Sequence, residues 1–261
     1  MTGMEIELTA LALLALVGFV AGFIDSVAGG GGMLALPSLL LAGLDPLTAL
    51  ATNKLQGTFG TASATYTFWK KGHLDPQAHV KTVVLVFAGA ALGVLLVSAA
   101  PKAILSIIMP ILLLAVALYF ALSPRLTNEA SEPIFPMGAF VFGMAPAIGF
   151  YDGFFGPGTG SFFMLALVSV FGLGLLEATA RTKLFNFTSN VAALLLFLFT
   201  AKFAWIIGLT MGIAQIGGAQ LGSRLAIKNG AKFIRPVLVL FCILMAIRLL
   251  FDSANPLRAY F

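Results

Sequence analysis

Charge is what this sequence has least of. Only 10% of its 261 residues are Asp, Glu, Lys or Arg, against roughly 25% in a soluble domain. That deficit excludes an ordinary water-soluble protein. Cysteine is nearly absent too: Cys242 is the only one, so no internal disulfide can form. Lying in an apolar run, it reads as a small core or lipid-facing residue. No nucleotide-binding glycine loop, zinc-ligand spacing or nucleophile elbow occurs. His73 and His79 share a basic loop with Asp75 but fall short of the ligand set that a metal needs, and read as solvated. No metal or cofactor is expected, and no enzyme. An intramembrane enzyme using Asp25 and Asp152 as a catalytic pair lacks any water-activating motif.

What fills the space is apolar: 60% of the residues are hydrophobic and mean hydropathy is +1.04. The chain is therefore expected to be an all-α polytopic membrane protein, a single membrane domain over 1–261. Glu5 and Glu7 stand where a signal peptide would carry basic residues, which argues against cleavage there. The net charge of +5 gathers at span ends, which points to lipid headgroups and not to nucleic acid. A span needs about 20 apolar residues. The first half offers 8–24, a short 33–44, 47–69, 80–100 and 103–122. The second offers 135–151, a short 161–172, 175–200, 203–226 and 233–251. The two short segments are about half a span, as expected of half-helices that return from mid-membrane.

The halves repeat. Gly22-Phe23-Ile24-Asp25 runs into Gly29–Gly32, and Gly149-Phe150-Tyr151-Asp152 runs into Gly156-Pro157-Gly158-Thr159-Gly160. Asp152 follows Asp25 by 127 residues; beyond a two-residue slip the offset holds at 129, matching Gly43-Leu44 to Gly172-Leu173 and Lys54-Leu55 to Lys183-Leu184. Gly89 and Gly93 match Gly218 and Gly222, pairs spaced for close helix packing. The basic residues alternate between the halves. Lys70, Lys71 and Lys81 crowd one loop whose mate has only Lys202, while Lys102 stands alone opposite Arg224, Lys228, Lys232 and Arg235. Two inverted-topology repeats meet this bias, 1–122 and 135–261, joined by a cytoplasmic linker over 123–134, with both termini outside. Each repeat is then a glycine-broken re-entrant hairpin plus three transmembrane helices. Trp69 and Trp205 read as interfacial anchors.

Glycine runs interrupt helices, and broken backbone at membrane depth survives only where protein or a water-filled cavity covers it. Paired breaks in two halves point to a transporter's binding site. Each break should expose a half-helix N-terminus, near Met33 and near Ser161. These would bring the N–H groups of Gly30, Gly31, Gly32, Gly158 and Gly160, with the hydroxyls of Thr159 and Ser161, to an anion. A tight helix turn without ligand is the alternative. Lys54 and Lys183, with Arg181, sit inside spans among Thr52 and Asn53 in one half and Thr182, Asn186, Ser189 and Asn190 in the other, and suggest two cationic centres for that anion. Snorkelling to a near interface is the alternative, since both lysines start about two turns from a helix end. Asp25 and Asp152 could pair with the lysines, cap the next turn, or carry a coupling proton.

The run from Gly22 to Leu55, with Pro37, Gly43-Leu44, Pro46 and Ala51-Thr52-Asn53-Lys54 after the glycines, resembles the sulfite exporter TauE/SafE family, also called the toluene sulfonate uptake permease superfamily. Gly149–Gly160 and Ala180-Arg181-Thr182-Lys183 resemble its second repeat. The resemblance implies a multi-pass secondary transporter of the bacterial inner membrane that exports sulfite, sulfoacetate or another organosulfonate. A passive channel for small anions or neutral solutes is the rival reading. Expected partners are a small anionic substrate and membrane lipid; a homodimer is compatible with the sequence but not required by it.

Overall fold

The computed structural model describes residues 8–122 and 130–229, and every regular element in them is helical. The predicted span over 233–251, Cys242, Lys232, Arg235, the pair Glu5 and Glu7, and most of the linker lie outside the described residues. The helices are α1 (Leu8–Ala28), α2 (Gly31–Leu41), α3 (Pro46–Lys70), α4 (Val80–Ala99), α5 (Lys102–Leu122), α6 (Met137–Ala139), α7 (Ala145–Phe154), α8 (Thr159–Ser169), α9 (Leu175–Thr200) and α10 (Trp205–Asn229). A π-helical turn, Phe140–Met144, joins α6 to α7.

Among the described residues, α1, α4 with its preceding turn, α5 and α9 are long and apolar enough to cross a membrane. Helices α3 and α10 have the length, 25 residues each, but fall short in apolarity. The reason is position: α3 carries Thr52, Asn53, Lys54, Gln56, Thr61 and Thr65, all buried in the centre of the molecule. Asp45 starts α3, its carboxylate accepting from the Thr48 N–H at 3.4 Å and Oγ at 2.7 Å, with Pro46 at the first helical position.

Packing runs across the two halves. Helix α1 lies along α10, and Gly18, Gly22, Gly218 and Gly222 remove the side chains that would hold the two backbones apart. Helix α4 lies along α7 through Gly89, Gly93, Gly149 and Gly153 in the same way. Contacts fix the directions. Gly18 meets Met211 and Gly22 meets Gln215, so α1 and α10 run parallel. Val86 meets Gly149 and Ala90 meets Gly153, so α4 and α7 run parallel. Thr52 accepts a hydrogen bond from the Ala204 N–H at 3.1 Å, while Ser63 bonds to Ile216, so α3 also runs parallel to α10. Since α10 reverses α9 through a short connection, α3 and α9 run antiparallel. Trp69 and Trp205, both about half exposed, stand at opposite ends of the molecule.

Candidate functional site

The two glycine breaks meet at the centre. The first is narrower than the sequence suggests: Gly29 and Gly30 form it, and Gly31 and Gly32 already belong to the first turn of α2. The second half-helix likewise begins at Thr159, earlier than the expected Ser161. Gly29, Gly156 and Gly158 have φ of 77°, 100° and 84°, a region that costs any other residue about 1–2 kcal/mol. The tips then touch. The Ser161 N–H donates to the Gly29 carbonyl at 3.1 Å, and the Ser161 hydroxyl to the Ala28 carbonyl at 2.5 Å. A Cβ on Gly29 would strike the Gly160–Ser161 backbone, and one on Gly160 would strike Gly29.

Both lysines are buried, each 1% exposed, which rules out snorkelling. Lys54 Nζ lies 2.7 Å from Asp152 Oδ1, and Lys183 Nζ lies 3.6 Å from Asp25 Oδ2 while also donating to the Asp25 carbonyl. Each lysine of one half thus pairs with the aspartate of the other. Each also sits at the C-terminal end of the opposite half's first helix, α1 or α7, where backbone carbonyls carry partial negative charge. Asp25 Oδ1 accepts from the Gly31 N–H at 3.3 Å, so the carboxylate links the end of α1 to the start of α2. Pairing and capping, two of the roles open to Asp25, occur together. The four charges sum to zero, and no free cationic centre remains.

A cavity of about 30 Å³ lies between the hairpin tips, α3, α9 and α10. Its wall includes Asp25, Gly32, Asn53, Lys54, Asp152, Gly158, Thr159, Gly160 and Asn186 from the sequence-derived set. The remainder fall elsewhere. Lys183, Gly30, Gly31, Thr52 and Ser161 back the wall without lining it, and the Thr159 hydroxyl is turned to the Gly156 carbonyl at 2.7 Å. Arg181 is not part of the site. It pairs with Glu177 one turn away and lines a separate open groove with Trp69, His73 and His79. Two residues separate it from Lys183, about 200° of helix, so the two side chains leave opposite faces.

Sequence reasoning missed Gln56, Gly57, Thr61 and Gln215, and it noted Gly29, Gly156 and Asn190 without placing them in the binding set; all seven are in the wall. Gln56 and Gln215 carried a signal: uncharged amides inside spans, here 1% and 2% exposed. The Gln56 amide N–H donates to Asn53 Oδ1 at 2.8 Å, and the Asn190 amide to the Asn186 carbonyl at 2.8 Å. The cavity wall is thus amide-rich and overall neutral.

A family model described as sulfite exporter TauE/SafE matches residues 14–249. The chain belongs to the sulfite exporter TauE/SafE family, a family of membrane transporters. Relatives of the same length agree. A probable membrane transporter protein, ORF9, from Sinorhizobium sp is 49% identical over 250 residues, 96% of each chain. The probable membrane transporter protein YfcA of Escherichia coli K12 is 43% identical over 243 residues, 93% of this chain and 90% of the relative. One from Haemophilus influenzae is 41% identical over 250 residues, 96% of this chain and 98% of the relative. No solved structure matches the chain. As a TauE/SafE member with four helices among the described residues suited to crossing a bilayer, it is a multi-pass membrane protein.

Proposed function

We propose that this TauE/SafE protein is a secondary carrier exporting a small sulfur-containing oxyanion, sulfite or an organosulfonate such as sulfoacetate, across the bacterial inner membrane. The observation that carries the reading is the central cavity between two helix N-termini, α2 and α8, each set at a glycine break in the membrane's interior. First-turn N–H groups and the amides of Asn53, Asn186 and Asn190 supply donors for sulfur-bound oxygens, with Lys54 at the wall. A cavity of about 30 Å³ exceeds the roughly 10–15 Å³ that one water needs but is small for an organosulfonate, so the anion binds when the hairpins part. Opposite running directions of α3 and α9 favour the inverted repeat, and rocking of one repeat against the other would alternate access. The inside-negative potential favours anion export by about 2.3 kcal/mol per charge per 100 mV.

Purified protein is tested for thermal stabilisation by sulfite, sulfoacetate, taurine, thiosulfate and sulfate, since a ligand bound by the folded form raises apparent stability. Sulfite or an organosulfonate should stabilise most. In proteoliposomes the flux should saturate and show counterflow. Unsaturable conductance would indicate a channel and overturn the carrier. Cysteines placed at Lys71 and Lys228 should react only from the cytoplasmic side; labelling of both from outside would refute this orientation, and labelling from opposite sides would refute the inverted arrangement.

A further inference from the structure

Several buried oxygens in the wall of the central cavity accept no hydrogen bond. Four of them, Asp25 Oδ2, Asp152 Oδ2, Gln56 Oε1 and Gln215 Oε1, have no hydrogen-bond donor, and Asp25 Oδ2 has only its 3.6 Å ion pair with Lys183. All four residues line the cavity. They come from four different helices, α1, α7, α3 and α10. The Gln56 amide nitrogen donates to Asn53 Oδ1 at 2.8 Å, which turns the Gln56 oxygen away from that contact. An unpaired buried acceptor costs about 1–3 kcal/mol, and four on one wall are hard to reconcile with a site built only for an anion.

We propose that the central cavity contains a subsite for a dehydrated monovalent cation of sodium size, held by Asp25, Gln56, Asp152 and Gln215. The inference rests on the carrier reading above and adds a second ligand to it. Three arguments converge. The bare atoms are all oxygens, the ligand type that hard cations take. A proton bridges two acceptors, whereas a metal cation satisfies several together, so four bare oxygens on four helices fit the metal ion. Charge supplies the third argument. Lys54, Lys183, Asp25 and Asp152 already balance; one bound monoanion leaves an excess negative charge within the membrane, and one monovalent cation restores neutrality. Broken transporter helices also offer backbone carbonyls to such ions, here at the ends of α1 and α7. The transported unit becomes electroneutral for a monoanion. Its direction then follows the combined gradients of anion and cation, whereas a dianion moving with one cation keeps a net negative charge that the inside-negative potential still drives outward.

Thermal unfolding of the purified full chain in sodium gluconate, against potassium and choline gluconate at equal ionic strength, tests the subsite without any small anion. Sodium alone should raise the midpoint, in a saturable manner. Sulfite affinity should be higher in sodium than in potassium, and by reciprocity sulfite should tighten sodium by the same factor. Gln56→Leu and Gln215→Leu should each lower sodium affinity about tenfold or more, while Gln215→Glu, which keeps the oxygen, should retain it. If Gln215→Leu does not fold, the Gln56→Leu and Gln215→Glu pair carries the comparison. Equal stabilisation by sodium and potassium, or stabilisation by lowered pH alone, overturns the proposal. Sodium binding with no affinity for any sulfur oxyanion would support the subsite and sink the substrate reading instead.

Discussion

Lys54 and Asp152 form a closed unit whose energetics can be measured. At 2.7 Å and an effective dielectric of about 20, their attraction is about 6 kcal/mol before desolvation. Taking two ions out of water cancels much of this, so the pair adds little net stability; stranding one member is what costs. Lys54→Met leaves the Asp152 carboxylate buried without its cation, and Asp152→Asn leaves the Lys54 ammonium buried without its anion. Each should cost about 3–5 kcal/mol. The double variant removes both charges at nearly constant volume. Its loss should fall well below the sum of the two, with an interaction energy of about 3 kcal/mol or more. Unfolding free energies in mixed detergent micelles, measured on all four proteins, close the cycle. Additive losses would refute the pairing. The mirror pair supplies a control. Lys183 keeps the Asp25 carbonyl when the carboxylate is neutralised, and its ion pair is longer at 3.6 Å. Asp25→Asn should therefore cost less than Asp152→Asn.

Three further outcomes follow from the geometry. Gly29→Ala should abolish the folded yield, because it combines φ of 77° with a collision against the Gly160–Ser161 backbone; Gly43→Ala, at φ 87° with open space around it, should lower stability by only about 1–2 kcal/mol in the same unfolding assay. Arg181→Ala should leave oxyanion affinity unchanged and cost under about 1 kcal/mol, since its pair with Glu177 is a partly exposed one-turn contact; a large affinity loss would return Arg181 to the site. Burial raises the Asp45 carboxyl pKa, but the Thr48 hydrogen bonds and the Lys102 charge outweigh it and hold the value below 3.8. A depressed folded value means that Asp45 adds stability in full above that pH and loses it as pH falls through the folded value. The melting-temperature gap between wild type and Asp45→Ala should therefore narrow as pH is lowered toward about 3; a gap that widens with acid would refute the assignment.

Most of the scaffold was legible in the sequence because lipid imposes a strong constraint. Segment 175–200 coincides with α9, and the half-length segments after the glycine runs are α2 and α8. Small residues four apart, Gly89 with Gly93 and Gly218 with Gly222, did mark the close helix contacts. The site was less legible. Composition shows that Lys54 and Lys183 are intramembrane, but their partners lie 98 and 158 residues away along the chain, and only the fold says which aspartate each one meets. Arg181 misled because its nearness to Lys183 along the chain is distance around the helix. Gln215 was passed over because an amide in a span reads as ordinary interhelical packing, and its repeat mate, Val86, is apolar. Without the symmetry signal, its amide inside an apolar span was the one local cue.

The crossed pairing also has a meaning for synthesis. Lys54 enters the bilayer about a hundred residues before Asp152 leaves the ribosome, which at 5–20 residues per second is a wait of roughly 5–20 s. Lys183 waits for nothing, because Asp25 is already in place. Until the second half arrives, the first repeat holds Asp25 and Lys54 without the partner that each has in the fold, and the crossed pairs close only when both halves are present.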